Sequence, residues 1–129
     1  MTVDFNEVMP PQENSMWTAA CSYHGLVPGR GVGVLMPAGD QVALFRLHDG
    51  MLHAVGNVDP FSGAAVMSRG IVGDRHGRVC VQSPIKKQAF ALDDGVCLDD
   101  PEVRLPVYRV RVWAGLVEIG RLDRGRVAA

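Results

Sequence analysis

The sequence predicts an all-β domain, on three observations. Fifteen glycines among 129 residues, two of them in Asp-Gly pairs, recur at the short intervals of tight turns. The segments between them are short, apolar and rich in valine and leucine. No stretch carries the 3.6-residue apolar repeat of an amphipathic helix.

The strands follow in order. Trp17 to Cys21 and Gly31 to Leu35 open the domain. The G-R-G-V-G run from Gly29 to Gly33 lacks the spacing of a phosphate loop and has no helix after it, so it reads as a strand-entry bend. Gln41 to Leu47 and Met51 to Val55 flank His48, Asp49 and Gly50. With Asp49-Gly50 as a two-residue type I′ turn, Leu47 faces Leu52 and Phe45 faces Ala54. Ala64 to Ser68 is the best place for a short helical turn. Ile71 to Asp74 and Arg78 to Gln82 form a hairpin, and Gln88 to Leu92 follows. Asp93-Asp94-Gly95 then turns the chain toward Val96 to Leu98. Val107 to Trp113 and Leu116 to Ile119 pair around Ala114-Gly115, setting Val112 against Val117 and Arg111 against Glu118. Close to ten short strands imply an antiparallel barrel or sandwich.

Composition narrows the function. The chain is 47% hydrophobic and 21% charged, with a net charge of −1, as in an ordinary globular domain large enough for one real core. Nucleic-acid and anionic-membrane partners need a concentrated basic face, which this balance does not supply. No apolar run is long enough to span a bilayer. Residues 1–15 lack a secretory pattern and read as a flexible lead, and residues 121–129 as a basic tail, leaving 16–120 as the domain. Cys21, Cys80 and Cys97 form no C-x-x-C pair, which implies reduced structural thiols and a cytoplasmic setting. Asp93, Asp94, Asp99 and Asp100 lack calcium-loop spacing and read as turn acids. Trp17 and Trp113 read as packing residues. No catalytic triad or carboxylate pair can be assembled by spacing.

Residues 57–92 differ from the rest. Two loop-like segments, N-V-D-P-F-S-G and Q-S-P-I-K-K-Q, bracket the Ile71 to Gln82 hairpin, and their Asp-Pro and Ser-Pro steps suggest fixed surface loops. The frame N-x-D-P-F-x-G followed by S-P-x-K-K-Q-x-F-x-L-x-x-G resembles the two cluster-binding loops of Rieske proteins. There, C-x-H and C-x-x-H motifs hold a [2Fe–2S] cluster. The resemblance puts Asp59 and Phe61 at the first Cys and His positions, and Ser83 and Lys86 at the second pair. None is a ligand for a soft iron–sulfur centre, so no metal or cofactor is expected on this chain. His24, His48, His53 and His76 fall outside the frame, and Cys80 lies before the Ser83 position without a partner at ligand spacing.

In order, N-V-D-P-F, M-S-R-G-I-V, S-P-I-K-K-Q-A-F-A-L and D-G-V-C-L-D-D resemble the small subunits of bacterial NAD(P)H nitrite reductases over roughly Trp17 to Ile119. That resemblance implies a Rieske-like fold and a non-catalytic role beside a large subunit. The large subunit carries FAD, a [4Fe–4S] cluster and sirohaem and reduces nitrite to ammonium.

In such a frame Asp59 and Ser83 face each other and can close the emptied site by a hydrogen bond. Phe61 and Lys86 meet at an exposed tip, with a cation–π contact worth about 0.5–1 kcal/mol. Pro60, Phe61, Pro84, Lys86, Lys87 and Gln88 then form a docking patch for the large subunit. Plainer readings stand beside these: Phe61 as a plug for the cluster void, Lys86 and Lys87 as a solvated loop, and Asp59 as a turn former. The rival function is a true Rieske-type ferredoxin. A free-standing ligand or nucleic-acid module is the third option.

Overall fold

The computed structural model describes residues 16–122; the expected lead (1–15) and residues 123–129 of the expected tail lie outside them. Nine strands form among the described residues: β1 (Trp17–Ser22), β2 (Gly31–Leu35), β3 (Gln41–Arg46), β4 (Leu52–Gly56), β5 (Ile71–Arg75), β6 (Arg78–Gln82), β7 (Ala89–Ala91), β8 (Val107–Trp113) and β9 (Leu116–Leu122). Residues 121 and 122 thus belong to the sheet rather than to a tail. Among the described residues, helix is confined to 3-10 turns at Tyr23–Gly25 and Met67–Arg69, the second slightly later than Ala64 to Ser68. Val96 and Cys97 make only isolated bridges, to Arg104 and Phe90, so the expected strand at Val96 to Leu98 does not form.

Six strands build one antiparallel sheet in the order β1-β9-β8-β4-β3-β2, curled into a nearly closed barrel, and β5-β6-β7 build a smaller one. The β8–β9 hairpin has the register read from the sequence, with Val112 opposite Val117 and Arg111 opposite Glu118. Its turn residues Ala114 and Gly115 both take positive φ, 53° and 82°, as a two-residue type I′ turn requires.

The β3–β4 hairpin is shifted by one residue from its expected register. Phe45 faces His53, and Arg46 faces Leu52. The connection has three residues, because Gly50 N–H bonds the Leu47 carbonyl at 2.9 Å and Leu47 N–H bonds that of Met51 at 2.8 Å. Gly50 supplies the left-handed step at φ 92°, and Asp49 Oδ1 accepts from Met51 N–H at 2.9 Å. A type I turn closed by a left-handed glycine thus outcompetes the two-residue turn.

Strand β3 is buried on both sides, with Val42, Ala43, Leu44 and Phe45 all at 0% exposure. Alternate residues serve two cores. Ala43, Phe45 and Leu47 join Val55, Met67, Val81, Phe90, Leu92 and Val107 between the two sheets. Val42 and Leu44 join Leu26, Ala54, Tyr108, Val117 and Ile119 on the opposite face. The period-two geometry of a strand makes this division.

The outer face of β1-β9-β8 is covered by stacked side chains. The Arg111 guanidinium lies 4.2 Å from the Trp17 ring centre and 5.5 Å from that of Trp113, and its Nε donates to Glu118 Oε1 at 2.7 Å. Glu118, expected on a charged outer face, is buried beneath this stack at 5% exposure.

Candidate functional site

The two loops at the end of the small sheet follow one plan. In the first, Asp59 Oδ1 accepts from Phe61 N–H at 2.8 Å, and the Asp59 carbonyl accepts from Gly63 N–H at 2.7 Å. In the second, Ser83 Oγ accepts from Ile85 N–H at 3.2 Å, and the Ser83 carbonyl accepts from Lys87 N–H at 3.1 Å. Each closes on a left-handed residue, Gly63 at φ 79° and Lys87 at φ 68°. Asp and Ser favour this local geometry because a short polar side chain can accept from the amide two residues on, and the following proline fixes the turn's first φ.

The loops meet side chain to side chain. Ser83 Oγ donates to Asp59 Oδ2 at 2.6 Å, with Asp59 at 0% and Ser83 at 1% exposure. This is the contact expected where two thiolates would sit in a Rieske frame. Burial by itself would raise the Asp59 carboxyl. Hydrogen bonds from the Ser83 hydroxyl, the Phe61 amide and Ser62 outweigh it and hold the group below the usual carboxylate value. The pair is therefore an ionised carboxylate with fixed donors.

Phe61 departs from its expected place. It is half-buried, packed on the inter-sheet core, and its ring centre lies 6.1 Å from that of Phe90 at a 44° tilt. The ring contact is thus with Phe90 rather than the Lys86 ammonium. Burying apolar ring area against a core gains more than an exposed cation–π contact. Pro60, Pro84, Ile85, Lys86 and Lys87 are exposed, and Gln88 is half-buried.

Lower on the small sheet, Arg78 bonds Asp93 at 2.8 Å and Asp94 at 3.1 Å, and Arg75 bonds Asp99 at 2.7 Å. Asp94 also accepts from Val96 N–H and Asp99 from Ala89 N–H. These acids hold turns. Residues not singled out by their spacing are Arg30 and Arg69, which the fold brings to one cleft at the β2 edge. They are far apart in the chain, and only the flanking glycines hint at a close approach.

The curled sheet with two paired loops on a three-stranded lobe defines a Rieske-like domain. The family model for Rieske-like [2Fe-2S] domains matches residues 16–120. The nitrite reductase (NADH) small subunit of Salmonella typhimurium is 41% identical over 106 residues, covering 81% of this chain and 97% of that one. A crystal structure described as an NADH-dependent nitrite reductase small subunit from Mycobacterium tuberculosis matches with a TM-score of 0.80 and 72% identity. That match covers 81% of this chain and 94% of that one. A nitrite reductase [NAD(P)H] large subunit from Klebsiella oxytoca is 35% identical over 111 residues, which is 86% of this chain but 11% of that protein. Within the Rieske-like class, the chain belongs to the nitrite reductase (NADH) small-subunit family.

The residues at the site do not fit the [2Fe–2S] group of that class. The four positions that the resemblance matches to the cluster ligands carry a carboxylate, a phenyl ring, a hydroxyl and an ammonium group. Both Asp59 oxygens and the Ser83 hydroxyl are engaged in the loops' own bonds. Cys80 and Cys97 are buried and Cys21 half-buried, all as free thiols. Burial pushes the Cys80 and Cys21 thiols up, away from the thiolate form that binds iron. Among the described residues no group of three or more His, Cys, Asp or Glu gathers as a donor set, and no helix is long and apolar enough to cross a membrane.

Proposed function

We propose that this chain is the non-catalytic small subunit of a cytoplasmic nitrite reductase complex and works without a cofactor of its own. Its partner is the large subunit, which by family resemblance carries FAD, a [4Fe–4S] cluster and sirohaem and reduces nitrite to ammonium with NAD(P)H. The observation that carries the reading is the Asp59–Ser83 bond, a metal-free closure of the two loops that in a ferredoxin would grip iron. A carboxylate satisfied by a hydroxyl and a main-chain amide has no electron to pass. What the loop end offers instead is surface for contact.

Exposed Pro60, Pro84, Lys86 and Lys87, with Phe61 and Gln88 at their margin, have the apolar-and-basic makeup of a docking patch. Lys86→Glu with Lys87→Glu reverses its charge without touching the core. The pair should weaken co-purification with the large subunit while leaving the small subunit's melting curve unchanged. Nitrite-dependent NAD(P)H oxidation should be higher with the wild-type chain than without it. Purified protein that is red-brown, with stoichiometric iron and acid-labile sulfide, would overturn the reading in favour of the ferredoxin.

A further inference from the structure

A cleft of about 430 Å³ lies where the start of β2 meets the turn before β5. Three glycines, Gly29, Gly31 and Gly70, are among the residues that line it. A Cβ on Gly31 would lie 2.5 Å from the Phe45 ring and 2.6 Å from the Ser68 carbonyl oxygen. One on Gly70 would lie 2.5 Å from the Gln82 carbonyl oxygen. Gly31 thus lets β2 lie close against the Met67–Arg69 turn, and Gly70 lets the end of that turn lie close against β6. The Met67–Arg69 turn beside it is fixed from below, since Ser68 N–H donates to the side-chain oxygen of buried Asn57 at 2.7 Å.

Arg30 and Arg69 stand at this cleft, and both are exposed. The arginines of the small sheet and the outer face, Arg75, Arg78 and Arg111, each hold an acid. Arg30 and Arg69 hold none among the described residues, and no Asp or Glu lines the cleft. Ile71, 68% exposed, adds apolar surface at the edge. Two guanidinium groups with no acid partner among the described residues, beside a cleft lined in part by glycine, make a site for carboxylates, which the planar fork can take two oxygens at a time.

We propose that this cleft docks an acidic segment of the large subunit, with its carboxylates on Arg30 and Arg69. The inference rests on the subunit role proposed above and adds a second contact, distinct in residues from the Lys86–Lys87 patch. Charge complementarity decides the occupant, since an acidic peptide satisfies both guanidinium groups and leaves its aliphatic parts for Ile71.

The test is binding of the purified large subunit to the full-length chain, measured as Kd across a range of salt concentrations. Arg30→Glu with Arg69→Glu should raise Kd at least about tenfold and flatten its salt dependence. Arg30→Lys with Arg69→Lys should fall between, since lysine keeps the charge but loses the fork. Melting curves of both pairs should match wild type, because neither side chain has an acid partner among the described residues. Unchanged Kd and salt slope in the glutamate pair, with wild type binding normally, would overturn the cleft proposal alone. Failure of the wild-type chain to bind the large subunit would overturn it together with the subunit role. Titration with inorganic phosphate or nitrite is the remaining arm. Saturable binding lost in the glutamate pair, with subunit affinity unchanged, would assign the cleft to a free oxyanion and also overturn the proposal.

Discussion

The Ser83 hydroxyl reaches Asp59 Oδ2 at 2.6 Å across two loops separated by the whole β5–β6 hairpin. Both residues are buried, at 1% and 0% exposure. The bond fixes the spacing of the loops as a metal clip would, but with an ionised carboxylate and a neutral donor.

Ser83→Ala removes that donor and leaves a buried carboxylate oxygen short of one bond. The loss should be about 1.5–3 kcal/mol, the range for hydrogen bonds to charged groups. Asp59→Asn should cost less. Its amide oxygen can still accept from Phe61 N–H, and its NH2 can donate to Ser83 Oγ. Thermal or urea melts of the two variants give the comparison directly.

Asp59 also sets part of the response to acid. Its carboxyl lies below the ordinary value in the folded state, so folding favours the ionised form. That contribution is fully present above the unfolded carboxyl's value of about 3.9. It is lost as pH falls through the lowered folded value. Asp94 and Asp99 are lowered too. In Asp94, burial opposes the shift and bonds from Val96 N–H and Arg78 outweigh it; in Asp99, bonds from Ala89 N–H and Arg75 dominate. Stability of the wild type should therefore drop steeply below about pH 4. Asp59→Asn should shallow that slope without abolishing it, as read from melting temperature against pH.

Glu118→Ala breaks the ion pair beneath the Trp17–Arg111 stack. Losing one partner of a buried pair costs about 3 kcal/mol at the lower end of its range. The lower end applies because the Arg111 side chain keeps 21% exposure. Replacing both, Arg111→Met with Glu118→Leu, should be milder than Glu118→Ala, since both members of this pair then give way to apolar side chains of similar volume. Equal losses in the two proteins would show that packing, not charge, holds this face.

Gly31→Ala places a methyl group 2.5 Å from the Phe45 ring and 2.6 Å from the Ser68 carbonyl oxygen. Overpacking of this kind costs about 1–3 kcal/mol. Gly73→Ala serves as the control, because nothing lies within 4 Å of its Cβ position. It should stay near wild type in the same denaturation series.

The legible parts of the fold were those whose local chemistry allows one answer. Ala114-Gly115 between alternating runs gave the β8–β9 register, Arg111 to Glu118 included. His48-Asp49-Gly50 admits two turns, and alternation could not choose between them because Val42 to Phe45 are apolar and buried without a break. The Asp59–Ser83 pair was reachable only through the family frame, since nothing in linear spacing joins the two loops. The choice between an exposed and an inward Phe61 was not legible, because Phe90, on which its ring packs, arrives from β7, a strand far along the chain. Arg30 and Arg69 were invisible for the same reason.

Phe45 and Val55 of the large sheet are roofed by Met67, Val81, Phe90 and Leu92 from the lobe that carries the paired loops. That lobe is no detachable ornament. Excising residues 57–92 would strip one face of the barrel bare and leave its central strands open to water and to each other's copies. The barrel therefore depends on the lobe's apolar underside, whatever side chains its two loops carry.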